Sequence, residues 1–223
     1  MNKEKKDKLD SFHEYAIDCD KRTLFFSGDI DSPQVEMLAT NIHILNSPDV
    51  HPESYSEPIN IVVHSRGGYD DLMLNLYDAI TYSKAPIHTL VTGMVCSAAT
   101  LLLVCGDRRF ATENSYAMFH KGKVELEGDE DEILAGAEIH RKISDRYWKL
   151  LGRHTNKPAS WWFNKSKDNG ELWLDAKQMV QYGVVDEILP RPRRELEPLS
   201  TKPVRTKKKV THEDEDEHEE ESE

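Results

Sequence analysis

Cysteine is scarce. The 223-residue chain has three, Cys19, Cys96 and Cys105, and two of them lie in one apolar run. That number excludes a disulfide scaffold, no CxxC pair offers a metal site, and few thiols suit a reducing compartment. Long hydrophobic runs are also missing. The longest, Met94 to Cys105, is about half of what a bilayer span needs. The start, MNKEKKDKLD, is charged and no apolar stretch follows it, so a signal peptide is not expected and the chain is expected to be cytoplasmic, away from any membrane. Positive charge is in the minority, with 29 Lys and Arg against 41 Asp and Glu and a formal net charge of -12. Phosphate binding needs a basic face, so the balance argues against a nucleic-acid binder. The hydrophobic fraction, 38%, is low, yet ample for the core of one domain.

What is present divides into three parts. Residues 1–15 are polar and read as a flexible N-terminal segment. Residues 16–189 alternate strand-like and helix-like stretches. From Pro190 onward come four prolines, the basic cluster Lys207 to Lys209, and nine acids between Glu213 and Glu223. Such a tail cannot bury enough apolar area to offset ordering entropy, and residues 190–223 are expected to be disordered. Within the middle part, RTLFFS, INIVVH and IHTLV read as strands, and Gln34 to Asn46 and Tyr69 to Ser83 as amphipathic helices. SRGG (Ser65 to Gly68) and Gly93 read as turns, and Ala98 to Cys105 as a short helix. Short strands follow at Arg109 to Ala111 and Tyr116 to Phe119. A long helix runs from Asp129 to Arg153, helical pieces cover Trp161 to Asn164 and Asp175 to Tyr182, and Val184 to Ile188 reads as a closing strand. Strands alternating with helices predict an α/β fold.

Three local features carry chemistry. Gly67-Gly68 follows a strand and precedes a helix, where backbone N–H groups can point at a close-lying ligand, although an ordinary turn would read the same way. In GMVCSAATLLL, Ser97 stands where a strand runs into a helix, so helix N–H groups can hold an oxyanion beside its hydroxyl. A simple N-cap serine has the same signature. In SYAMFHKGK, His120 ends a strand at a rim, a fitting place for a general base, and an exposed histidine of no function would look alike.

Taken in order and spacing, these features resemble Clp protease proteolytic subunits of the ClpP/crotonase fold group, across roughly residues 17 to 189. The family's SPGG turn appears as SRGG, its Tyr-Asp pair as Tyr77-Asp78, its G-x-A-x-S-M as GMVCSAA, and its M-I-H-Q-P as MFHKG. Its E-I-H is Glu138-Ile139-His140, its H-T-G is His154-Thr155-Asn156, and its E-A-x-x-Y-G-L-V-D is KQMVQYGVVD, Lys177 to Asp186. Departures are Arg66 for the family's proline, Ala98 for methionine, and Lys121-Gly122 for Gln-Pro. The pattern is that of a divergent member of phage or plasmid type.

The resemblance implies a spiral of βαβ units with a long protruding helix, and a serine endopeptidase with a Ser-His-carboxylate triad. Ser97 would be the nucleophile and His120 the base. The third member would be Glu171, in register with Trp173, or its rival Asp168, which the upstream anchor favours. The N–H groups of Gly68 and Ala98 would form the oxyanion hole, with no metal and no cofactor. An AAA+ unfoldase of the ClpX/ClpA kind is the implied partner, unfolded polypeptides the implied substrates, and two stacked heptamers the implied assembly. A catalytically inactive ClpP-like structural or regulatory subunit and a crotonase-type acyl-CoA enzyme are the alternatives.

Overall fold

Two ten-residue strands form the centre of the fold, and their burial alternates as a pleated strand between two layers requires. In β3 (Ile59–Gly68), Ile59, Ile61, Val63, Ser65 and Gly67 point inward. In β4 (Ile87–Cys96), Ile87, Thr89 and Val91 do the same. The computed structural model describes residues 3–50 and 56–192. The acidic tail lies outside them, as do residues 51–55.

The order along the chain is α1 (Lys3–Tyr15), β1 (Ile17–Asp18), β2 (Thr23–Ile30), α2 (Ser32–Leu45), β3, α3 (Asp70–Thr81), β4 and α4 (Ala99–Val104). It continues with β5 (Arg108–Ala111), β6 (Tyr116–His120), α5 (Glu130–His154), α6 (Ala159–Asn169), β7 (Glu171–Asp175), α7 (Ala176–Gln181) and β8 (Glu187–Ile188). One sheet takes the order β1-β2-β3-β4-β5-β8, and β6 and β7 branch from β4. Most pairings are parallel; β1–β2 and β6–β7 are antiparallel. The branch arises because β4 changes neighbour along its length. His88 to Val91 pair with β5, and Met94 to Cys96 pair with β6. The chain therefore belongs to the α/β class expected, with the split in β4 opening the sheet where the conspicuous residues collect.

Several expected turns are ordered differently. SRGG is not a turn: β3 continues through it, with Ser65 opposite Val95 of β4 and Gly67 opposite Asp29 of β2. Likewise β4 runs on through Gly93. The stretch KSKDNGEL, whose composition favours a loop, is the end of α6 followed by the start of β7. Residues 3–15, read as loose, form α1. That helix is held by tertiary contacts that its polar composition does not announce: Phe12 packs edge-on against Phe25, Lys8 pairs with Asp20, and Asn41 donates to the Tyr15 carbonyl.

The helices start where local chemistry lets them. Asp31 caps α2, accepting from the Gln34 N–H. Asp129 and Glu132 form a reciprocal capping box on α5, whose first turn is acidic and last turn basic, matching the helix dipole. Only the second half of α5 is buried, through Tyr147, Trp148, Leu150 and Leu151; Leu134 and Ile139 near its start are 62% and 56% exposed. α4 is buried throughout. No helix among the described residues is long and apolar enough to cross a membrane.

The lower edge of the sheet is closed by Arg109. Its guanidinium donates to both Asp186 oxygens and to the carbonyls of His154 and Gly183, tying β5 to the end of α5 and the approach to β8. Burial alone would raise the Asp186 pKa, but the Arg109 hydrogen bonds outweigh it and hold the carboxyl below its usual value. Arg109→Ala takes the guanidinium from four acceptors, of which Asp186 Oδ2 keeps the Arg109 backbone N–H, and is expected to cost about 1–3 kcal/mol, read from the urea midpoint. Because the folded Asp186 pKa is depressed, this advantage of the wild type is full above the unfolded carboxylate pKa near about 4 and fades as pH falls through the folded one. A midpoint unmoved by the substitution would refute this role.

Candidate active site

The backbone at Ser97 is the unusual feature of the site. Its φ is 55°, in the left-handed region that side chains rarely adopt, at the junction between β4 and α4. Such a bend lifts the side chain clear of both elements. Three sets of contacts hold it. The Ser97 N–H donates to the Met118 carbonyl at 2.8 Å, extending the β4–β6 ladder by one residue. The Ser97 carbonyl accepts from the Thr100 N–H, the Thr100 hydroxyl at 2.6 Å and the Tyr147 hydroxyl at 3.3 Å. Behind the bend lies Gly67, itself at φ 100°; a β-carbon there would come within 2.8 Å of both the Cys96 carbonyl and the Ser97 Cβ. Only glycine fits, because the obstacle is backbone rather than a movable side-chain tip.

His120 ends β6, and its Nε2 lies 2.8 Å from Ser97 Oγ. That distance is a hydrogen bond suited to proton transfer between a hydroxyl and a neutral imidazole. The neighbouring Cys96 is no rival nucleophile. Burial pushes its thiol above the ordinary value, with the Arg66 guanidinium pulling weakly the other way, so it stays protonated.

The two candidate carboxylates are placed differently. Glu171 opens β7 directly opposite His120 in the antiparallel pair, so their β-carbons face each other at about 4.5–5.5 Å. Asp168 sits in the last turn of α6, off the strand. Neither touches His120 here: Glu171 Oε2 accepts from its own strand's Trp173 Nε1 at 2.9 Å. Among the described residues no carboxylate is hydrogen-bonded to His120. The candidate oxyanion donors also differ. The Ala98 N–H, just past Ser97, has no acceptor among the described residues. Gly68 packs against β2, where a β-carbon would lie 2.3 Å from the Ile30 carbonyl oxygen.

Three participants were not legible in the sequence. Tyr147 and Thr100, 2.6 Å apart, brace the bend from α5 and α4; an aromatic and a β-branched residue within helical stretches look like ordinary core. Asp70 is the third. It starts α3 one residue beyond the glycine pair, after Tyr69, and lines the same cleft as Ser97 and His120. Burial raises its pKa above the usual carboxylate value, against the pull of His140 and His120. The cleft has a volume of about 1140 Å³ and runs between the end of β3 and the exposed stretch that follows His120. No group of side chains suited to a metal ion occurs among the described residues.

The backing of the bend is testable. Gly67→Ala must displace Ser97 or break the β3–β4 register, and is expected to cost about 2–4 kcal/mol in urea unfolding. Retention of wild-type stability would mean that Gly67 does not support Ser97.

Comparison with known proteins agrees with this layout. Residues 6–192 match the Clp protease family model. The chain is 29% identical over 170 residues to the "ATP-dependent Clp protease proteolytic subunit 2" of Treponema denticola, covering 75% of this chain and 81% of that protein. It is 26% identical over 188 residues to the "ATP-dependent Clp protease proteolytic subunit" of Porphyromonas gingivalis, covering 83% and 80%. It is 27% identical over 185 residues to the protein of that name from Dehalococcoides mccartyi, covering 82% and 88%. The chain belongs to the Clp protease family.

Proposed function

We propose that this Clp protease family member is an active serine endopeptidase, the proteolytic subunit of an ATP-dependent machine that cleaves unfolded polypeptides. The observation that carries the reading is the 2.8 Å contact between His120 Nε2 and Ser97 Oγ, made at a bend the surrounding structure holds in place. Ser97 Oγ attacks the scissile carbonyl while His120 accepts its proton and later returns it to the leaving amine. The oxyanion forms beside the Ala98 N–H, with the Gly68 N–H as the second donor, each worth about 3–4 kcal/mol of barrier reduction. Neither a metal nor a cofactor enters these steps.

Glu171 is the third member. Its strand register against His120 supports it over Asp168, which lies on a helix. To act, the Glu171 carboxylate leaves the Trp173 indole for His120 Nδ1. The exchange trades one charge-assisted bond for a stronger one. The exposed indole–carboxylate bond contributes at most about 1.5–3 kcal/mol, and a bond to the imidazolium formed during attack carries charge on both partners.

The exposed half of α5 supports a ring-shaped chamber. Its N-terminal half carries Ile133 and Leu134 in the open, and the preceding stretch adds Leu126. Apolar surface of this kind on a projecting helix supports docking onto a second copy, and two stacked heptamers are the assembly proposed. ATP is then spent by a separate AAA+ unfoldase of the ClpX/ClpA kind that threads substrate into the chamber in the cytoplasm. A structural, inactive subunit is the second reading, favoured by the lack of a carboxylate on His120.

The test compares hydrolysis of a fluorogenic peptide by the wild type and four variants. Ser97→Ala and His120→Ala are expected to abolish turnover. Glu171→Gln is expected to lower it by roughly four orders of magnitude, and Asp168→Asn by far less. Undiminished turnover by Ser97→Ala overturns the mechanism, and no turnover by the wild type selects the inactive reading. A larger loss for Asp168→Asn than for Glu171→Gln would make Asp168 the triad acid.

A further inference from the structure

The cleft beside Ser97 holds a charge that the reaction just described does not use. Asp70 stands within it, half-buried, in the wall shared with Ser97, His120 and Gly122. A β-carbon added to Gly122 would lie 3.1 Å from Asp70 Oδ2, so this carboxylate faces the irregular stretch that leaves His120. The nearest basic side chain to it, His140 on α5, has its Nδ1 3.7 Å away, beyond hydrogen-bond range. Among the described residues no donor hydrogen-bonds to the Asp70 carboxylate. A half-buried acid left in this way is a poor neighbour for an apolar side chain, which would strip its remaining water and give nothing back.

The rest of the cleft has the same sign. Besides Asp70 its lining includes four carboxylates, Asp29, Asp31, Asp71 and Glu125, against Arg66 and Lys123 and the imidazoles of His120 and His140. Ile139 and Ile143 of α5 supply an aliphatic strip along the same wall. A long side chain with a methylene stem and a cationic head fits both features: the stem lies on the isoleucines and the head meets the acid.

We propose that Asp70 makes this cleft select lysine or arginine at the residue whose carbonyl Ser97 attacks. The proposal rests on the peptidase reading above and adds a substrate class to it. Asp70 thereby acts on which peptide bond is cut, through the side chain next to that bond. His120 remains the group that moves the proton.

The experiment measures kcat/KM of the full-length protein on peptides that differ at one position, carrying Lys, Arg, Leu or Glu before the scissile bond, with Ser97→Ala as the blank. The wild type is expected to favour Lys and Arg over Leu by about tenfold or more, the discrimination one charge-assisted hydrogen bond supplies. In Asp70→Asn the cationic-to-leucine ratio is expected to fall by about tenfold, and Asp70→Glu is expected to keep part of it. A ratio unchanged in Asp70→Asn while all rates fall together means that Asp70 serves His120 or the fold, and overturns the proposal. A wild-type preference for leucine overturns it as well, and leaves the peptidase reading standing. Failure to cleave any of the peptides defeats that reading, and this one with it. Cleavage-site mapping of an unfolded protein by the wild type alone needs no variant: cuts after Lys and Arg are expected, and cuts after large apolar residues would contradict the proposal.

Discussion

Everything at the site depends on one residue being held in a backbone conformation it would not choose. Ser97 at φ 55° is unfavourable by about 1–3 kcal/mol and persists only because its neighbours leave no alternative. The Met118 carbonyl holds its N–H, Thr100 and Tyr147 hold its carbonyl, and Gly67 occupies the space behind it. These residues come from β6, α4, α5 and β3, so the bend is a joint product of four elements. The same restraints aim the hydroxyl at His120, since β6 supplies both the Met118 carbonyl and, two residues on, the imidazole. A change in any of the four elements therefore reaches the Ser97–His120 distance.

The sequence carried part of this plainly. Strands that alternate with amphipathic helices gave the α/β class, and the spacing of Gly67-Gly68, Ser97 and His120 marked the residues the structure brings together. The misses have physical reasons. SRGG looks like a turn because its residues favour turns, yet β2 and β4 flank it and supply the ladder partners that keep it extended. The stretch around Glu171 looks like a loop for the same compositional reason, and becomes strand because β6 offers it an edge. α1 is polar and carries no periodic signal; Phe12, Lys8 and the Tyr15 carbonyl meet their partners only in the folded chain. The Trp173 indole on Glu171 is likewise invisible to sequence, since a residue and its neighbour two along a strand share a face without any motif recording it.

Glu171 shows how the site can be complete in its residues and open in its bonding. Register places it opposite His120, while hydrogen bonding gives it to Trp173. Both residues are exposed, so the indole contact is weak, and it competes with a bond that strengthens as His120 gains charge. In the proposed mechanism the carboxylate is available when the imidazolium forms, which is when orientation and charge compensation matter most. Asp70 differs in kind. It lines the cleft beside Ser97 and His120, at the start of α3, and burial gives its charge a reach that an exposed acid lacks.

The most direct measurement is covalent. Incubation of the full-length protein with a fluorophosphonate probe, followed by peptide mapping, reports whether a serine here is activated and which one. Stoichiometric labelling at Ser97 in the wild type is expected, with none in Ser97→Ala and strong loss in His120→Ala. A wild type that takes up no probe, or labelling that survives both substitutions, would contradict an activated serine at the β4–α4 bend.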